Sequence, residues 1–312
     1  MKTREYVDTF FRKPYLFRRL TTLRRLTTLS VEEFEILREK REPEWRASEK
    51  KRLEARKSRT RKVEQGRPYE LGNFKNLLFV TVIYLRTHAS VELLSLLMRV
   101  DKDAIRRPVT RILPLIQDRF IPDTPLSKGR KRINTLDELL KDFPELEDVI
   151  FDGSEFPIQR PKHRQKQSYS GKKKRHTKKS QIALDKRTRL IIGVSPPRRG
   201  KIHDKKQREK TGWDRELPPS IGRYSDLGYY GMKGWHLPHK KPKGGLLTRW
   251  QKTLNKRFAK ERIVVEHGIR GIKIFRRIGE IITIKSDELF STTLLAATNL
   301  SNFKRLVRQG LG

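Results

Sequence analysis

The spacing of apolar and polar positions divides the chain into a helical first part and a second part in which strands and helices alternate. A short tandem repeat, RLTTLR then RLTTLS over residues 19–30, leads into Ser30-Val-Glu-Glu33. That spacing is a capping box ahead of the apolar Phe34, Ile36 and Leu37. The stretch EKKRLEARKSRTRKVEQGR then loses apolar content, as a solvated linker or a basic arm would. From Phe74 the pattern predicts three helices: FKNLLFVTVIYLRT, the shorter VELLSLLMRV, and DKDAIRRPVTRILPLI with Asp101 placed to cap it. Three helices with a tight turn between the last two suggest helix-turn-helix, although a plain three-helix packing domain gives the same pattern. The turn MRVDKD has no glycine, and Pro108 removes a helical hydrogen bond and predicts a kink. After Pro122 and Pro125, a linker and a short helix capped at Thr135 fill residues 122–145.

Beyond residue 146 the period shortens. VIFDG reads as a buried strand ending on an acid, KKRHTKKSQIALD as a second, and LIIGV, after the turn DKRTR, as a third, together an antiparallel meander. The polar GKIHDKKQREK reads as a helix, IGRYSDLGYYG as another strand that ends on an acid, and WHLPHKKPKGG as a short edge strand. A long helical pattern runs from Leu246 through RIVVEHGIRGIKIF. The expected organisation is a basic arm (1–66), a helical module (67–121), a linker (122–145) and an α/β domain (146–312).

Composition narrows the chemistry. With 74 Lys and Arg against 36 Asp and Glu in 312 residues, the net charge is +38. Such an excess points to a polyanionic partner, nucleic acid. There is no cysteine, which excludes disulfides, zinc ribbons and a thiol nucleophile and leaves carboxylate or histidine for any metal. The longest apolar run, Leu77 to Leu85, is about half a membrane span, and the basic N-terminus lacks the apolar core of a secretory signal. A cytoplasmic protein with no membrane partner is the expectation.

Against this basic background three carboxylates stand out. Asp152 and Asp226 each occupy the place where an apolar strand opens into a glycine-bearing turn, where a sheet commonly presents its site, though Asp also favours turns for its own sake. On a helix, Arg262, Glu266 and Lys273 project from about one face, with Ile263, Val264 and Ile269 on an adjoining face toward the core. Glu266 alone reads as a surface ion-pair partner. Packed on the sheet, that helix would bring it to Asp152 and Asp226. Three carboxylates at one point repel without a cation; with two hard divalent ions they make a site for in-line phosphoryl displacement. The glycines at 268 and 271 leave the end of the helix undefined.

The blocks DGSEFPIQRP, YSGKKKRHTKKSQI, GKIHDKK, SDLGYYG, PHKKPKGG and RIVVEHGIRGIKIFR, in this order, resemble those of bacterial insertion-sequence transposases of the DDE superfamily. The resemblance covers the chain from about Phe74 onward. It implies an RNase H-like catalytic domain behind a helical DNA-binding module, with Asp152, Asp226 and Glu266 as catalytic and metal-binding triad for two Mg2+ or Mn2+ ions. Arg262 and Lys273 match basic positions around the family's glutamate. The expected activity is metal-dependent cleavage at terminal inverted repeats, followed by joining of the 3′-OH end to target DNA. The expected working form is a homo-oligomer on double-stranded DNA, associated with the nucleoid. Phosphate contacts are expected from Lys102, Arg106, Arg107 and Arg111 in the third helix and from Lys172, Lys173, Lys174 and Arg175. His203 and Asp204 match a further block and are secondary candidates. Ala259 departs from related groups, which carry a tyrosine there.

Overall fold

The computed structural model describes residues 20–56, 69–117, 146–211 and 217–310. The expected linker and capped helix at 122–145 lie outside them. Two compact units emerge: residues up to 117 with Phe275–Arg277 and 303–310 form one, and 146–274 with 278–302 the other.

In the first unit, α1 (Leu20–Thr27) and α2 (Val31–Glu54) precede α3 (Phe74–Thr87), α4 (Val91–Met98) and α5 (Lys102–Gln117). The capping box is present: the Ser30 hydroxyl accepts from the Glu33 amide, and the Glu33 carboxylate accepts from the Ser30 amide. The described part of the basic arm is not separate from the three-helix module. Phe34 of α2 meets Phe79 of α3 edge-on, and Trp45 stacks on Phe74. α3 is buried along nearly its whole length, as its unbroken apolar run requires.

The turn lacking glycine closes because Arg99 takes the left-handed conformation itself, at φ 53°, with its amide on the Leu96 and Ser95 carbonyls. Asp101 caps α5 as expected, its carboxylate accepting from the Asp103 amide at 2.7 Å. The helix continues past both Pro108 and Pro114. The apolar Ile105, Val109, Ile112 and Ile116 hold it in the core while the prolines interrupt its ladder.

The second unit is a mixed sheet with helices. β1 (Asp148–Pro157), β2 (Tyr169–Ser170), β3 (Arg175–Asp185), β4 (Ile191–Val194) and β5 (Arg198–Arg199) are followed by α6 (Asp204–Thr211) and β6 (Gly222–Tyr224). The expected meander is there: β1 pairs antiparallel with β3, and β3 with β4. β6 then pairs with β1 in parallel, from Asp148↔Gly222 to Ile150↔Tyr224. The expected edge strand after it shrinks to one bridge, Tyr224↔His236, because Pro238 follows at once.

Two long helices close the unit, α7 (Arg249–Lys273) and α8 (Asp287–Arg308), the latter not read from the sequence. The glycines of α7 are contact points. A Cβ at Gly268 would press on Leu184 of β3, and one at Gly271 would collide with Ser301 of α8. The face of α7 turned inward is therefore Val265, Gly268 and Ile272. The expected inward face fails in part, since Ile263 is exposed.

Candidate active site

β1 is longer than its sequence predicts. It runs on through Asp152, Gly153 and Ser154 to Pro157, because each of these residues pairs with the long β3. Asp152 therefore sits in mid-strand opposite Ile182, which corrects the expected strand end at this position. The parallel part of the sheet, however, stops at Ile150↔Tyr224. Asp152 and Asp226 each stand two residues past that last pair, so two neighbouring strands deliver their carboxylates at the same level. The Ser225 hydroxyl, donating to the Phe151 carbonyl at 2.8 Å, ties the Asp226 turn to β1.

Asp226 also caps the single 3-10 turn Leu227–Tyr229, accepting from the Gly228 amide at 2.9 Å. Its role as a turn residue and its place beside Asp152 coexist. Asp152 accepts from the Gly153 amide at 2.8 Å, and its side chain is 20% exposed. Burial pushes its carboxyl up to about 6; the Arg262 guanidinium opposes the shift, while Asp226 and, less strongly, Asp204 add to it. Half-protonated near pH 6, Asp152 has too little positive charge around it.

Arg262 of α7 stands 4.0 Å from Asp152 and 3.9 Å from Glu266, so one guanidinium nitrogen touches both carboxylates. Glu266 itself is 60% exposed and lies beside Arg262 rather than on the aspartates. Among the described residues, no three Asp, Glu, His or Cys side chains lie close enough together to hold a metal ion. The three expected ligands are thus assembled two and one, with an arginine between.

Lys273 ends the same helix, half-buried over the Phe156 ring at 5.3 Å. Desolvation lowers its pKa, as does nearby Lys173, while Asp152 and Glu155 raise it. Its ammonium thus feels the Asp152 carboxylate. Lys172, Lys173, Lys174 and Arg175 are all exposed in the β2–β3 turn, where Lys174 takes the left-handed conformation at φ 52°. In the helical unit, Lys102, Arg106 and Arg107 are exposed, the two arginines paired with Asp103. Arg111 turns inward to the Tyr69 hydroxyl and Glu49.

The secondary candidates separate. His203 is exposed, its ring accepting from the Lys205 amide. Asp204 opens α6 and lies so close to Gly153 that a Cβ there would collide with it; one at Gly228 would meet its other oxygen at 3.3 Å. Asp204 is ion-paired with Lys179 at 2.8 Å, and the same ammonium lies 3.8 Å from Glu155. Lys179 is 8% exposed, and its place in this cluster was missed in the sequence, where it looks like part of a charge run. Alternation gives no signal here, because β3 is buried on both faces from Lys179 to Asp185.

Residues 151–302 match the model of the family described as DDE superfamily endonuclease. A protein of Microchaete diplosiphon, named as a transposase for insertion sequence element IS702, is 39% identical over 143 residues, 44% of this chain and 50% of its own length. The matched part thus spans half of that relative. A protein of Streptomyces albus G, named as a transposase for insertion sequence element IS112, is 26% identical over 219 residues, 69% of this chain and 74% of its own. No solved structure matches the chain. No helix among the described residues is long and apolar enough to cross a membrane. Residues 151–302 thus resemble the DDE superfamily endonucleases, and both relatives are named as insertion-sequence transposases.

Proposed function

We propose that this protein is a DNA transposase that binds the terminal inverted repeats of its element, cleaves phosphodiesters there with divalent metal, and joins the freed 3′-OH end to target DNA. The observation that carries the reading is the paired placement of Asp152 and Asp226, two residues beyond Ile150↔Tyr224, with the Asp152 carboxyl pushed up to about 6. A half-buried carboxylate pair fits a hard cation, and the all-oxygen donor set fits Mg2+ or Mn2+. Asp152 and Asp226 would hold it, and Glu266 would join them once Arg262 turns from the carboxylates to a DNA phosphate. Bound there, the metal would supply an activated attacking oxygen and stabilise the leaving one.

The chain's own groups do the rest. Lys273 and the exposed Lys172–Arg175 turn supply positive charge for the backbone on either side of Asp152. The RNase H-like reading of the second unit is supported by its antiparallel β1–β3–β4 order with β6 parallel to β1. In the first unit, α3–α5 would read the terminal repeat through Arg106 and Arg107, the exposed basic pair of α5.

The test is cleavage and strand transfer on a labelled terminal-repeat duplex in Mg2+, comparing wild type with Glu266→Gln, Asp152→Asn and Asp226→Asn at matched DNA occupancy. Loss of both steps by orders of magnitude, with binding retained, is expected for all three. Near-wild-type turnover in the Glu266 variant removes it from the site. Binding without turnover in wild type leaves a DNA-binding protein, and cutting without joining leaves a nuclease.

A further inference from the structure

The second unit carries a surface that the proposed chemistry does not use. Between His239 and Lys260 the sequence holds eight basic side chains and no acid. In the first turn of α7, Trp250 is 67% exposed, and just before it Leu246 is 76% exposed. Tyr230 is 55% exposed, with the ammonium of Lys240 from the basic segment 4.5 Å from its ring centre. Large rings and a leucine left in water inside a lysine-rich segment suit a ligand that is both anionic and planar.

These groups sit on a fixed frame. Thr248 and Gln251 form a capping box that sets where α7 begins. Asn255 clamps the His239 backbone to the helix through two hydrogen bonds, accepting from the amide at 2.7 Å and donating to the carbonyl at 2.9 Å. The clamp leaves a groove of about 240 Å³ between residues 236–239 and α7, with Leu237, Pro238, Leu254, Arg257 and Phe258 among its walls; the one carboxylate among them, Glu261, is ion-paired with Lys186 at 3.1 Å. The Trp250 ring stands 5.9 Å from that of His239 at the groove's edge, and His236 stacks on Tyr224 at 4.6 Å on its far side.

We propose that this groove and Trp250 bind an unpaired DNA strand, the bases stacking on the rings and the phosphates lying along the lysines. A duplex keeps its base faces stacked on one another, so exposed rings gain nothing from it, whereas an unpaired strand offers a π-face at every base. An acidic peptide would satisfy the lysines and leave Trp250 and the apolar walls unused. Phe258 and Glu266 are eight residues apart on one helix, about 12 Å along its axis. The groove is thus within two or so nucleotides of the carboxylates, where cleavage would create single-stranded ends. The proposal rests on the reading of the chain as a DNA-processing enzyme.

The test is equilibrium binding of the full chain in EDTA, where no cutting occurs. The probes are a labelled duplex and the same duplex extended by an overhang of about five unpaired nucleotides, as DNA or as RNA. The DNA overhang should tighten binding by roughly five-fold or more. Trp250→Ala should abolish that gain and leave duplex affinity unchanged, and Trp250→Phe should retain it. The part of the tryptophan emission lost in Trp250→Phe should be the part quenched by the overhang. Equal affinity for both DNA probes, a Trp250→Ala loss shared by the duplex, or a preference for the RNA overhang overturns the assignment. A chain that cuts terminal repeats but ignores overhangs keeps its function and loses this site. A chain that prefers overhangs but never cuts keeps the site and loses the function.

Discussion

Replacing Asp152 by asparagine should stabilise the metal-free protein, and the size of the gain follows from the site. The carboxyl is moved from its ordinary 3.8 to about 6 by burial beside Asp226 and Asp204, with Arg262 only partly compensating. A shift of about two pH units corresponds to roughly 3 kcal/mol between the ionised and neutral forms. Because the folded-state value is raised, the group favours folding fully below about pH 4 and loses that contribution as pH rises through 6. Above pH 6 the wild type carries the whole cost. The amide side chain of the Asp152→Asn variant is neutral at every pH and can still accept from the Gly153 amide, so the variant escapes that cost.

Thermal melting in EDTA measures this. At pH 7.5 Asp152→Asn should melt higher by up to about 6–12 °C, from about 3 kcal/mol spread over a unit of this size. At pH 4 the two proteins should melt together. Added Mg2+ should narrow the difference by stabilising wild type alone, by about 1.4 kcal/mol at ten times its dissociation constant. A variant less stable than wild type at pH 7.5, or a gain of equal size at pH 4, would refute the claim that Asp152 is an undercompensated buried charge.

Two further substitutions test the surroundings. Lys179→Met leaves Asp204 and Glu155 without their shared cation in a buried place and should cost about 3–5 kcal/mol in urea denaturation; adding Asp204→Asn should recover a large part of it. In the helical unit, desolvation lowers the Lys304 ammonium to about 8, with Arg308 adding to the effect. Since the folded-state value is depressed, the cost is complete below pH 8 and fades toward 10.5. Lys304→Met should therefore stabilise by up to roughly 3 kcal/mol at pH 7 and by nothing near pH 10.5, read from melting across that range.

Much of this was legible in the chain because local signals and tertiary packing agreed. The Ser30 capping box, the apolar run of α3 and the β3–β4 hairpin all formed where spacing put them. Disagreement arose where pairing overrode local preference. Asp152-Gly153-Ser154 reads as the end of a strand, yet nine successive pairs with β3 carry β1 straight through it. The glycines of α7 read as weak points, whereas they admit Leu184 and Ser301 to the helix surface. Lys179 reads as surface charge and is a buried hub, since the residue type of a strand position does not reveal which face is covered.

The lone glutamate of RIVVEHGIRGIK shows what residue types alone leave open. In the structure Glu266 is the surface ion-pair partner of Arg262 that its setting suggests, at 3.9 Å and 60% exposed. A pair of that exposure contributes under about 1 kcal/mol, so little holds Glu266 in that rotamer. Asp152 differs: it is seated in a nine-pair ladder and bonded to the Gly153 amide. The site therefore has a fixed half on β1 and β6 and a lightly held half on α7, joined by a guanidinium that serves both. A DNA phosphate offers Arg262 a stronger partner than either carboxylate, because bidentate charge-assisted contacts replace two contacts at the 4 Å limit. On the proposed reading, moving Arg262 would leave both carboxylates without a cation, and a divalent ion would relieve them. On this account the weakness of the Arg262–Glu266 contact is what allows the third carboxylate to arrive with the substrate.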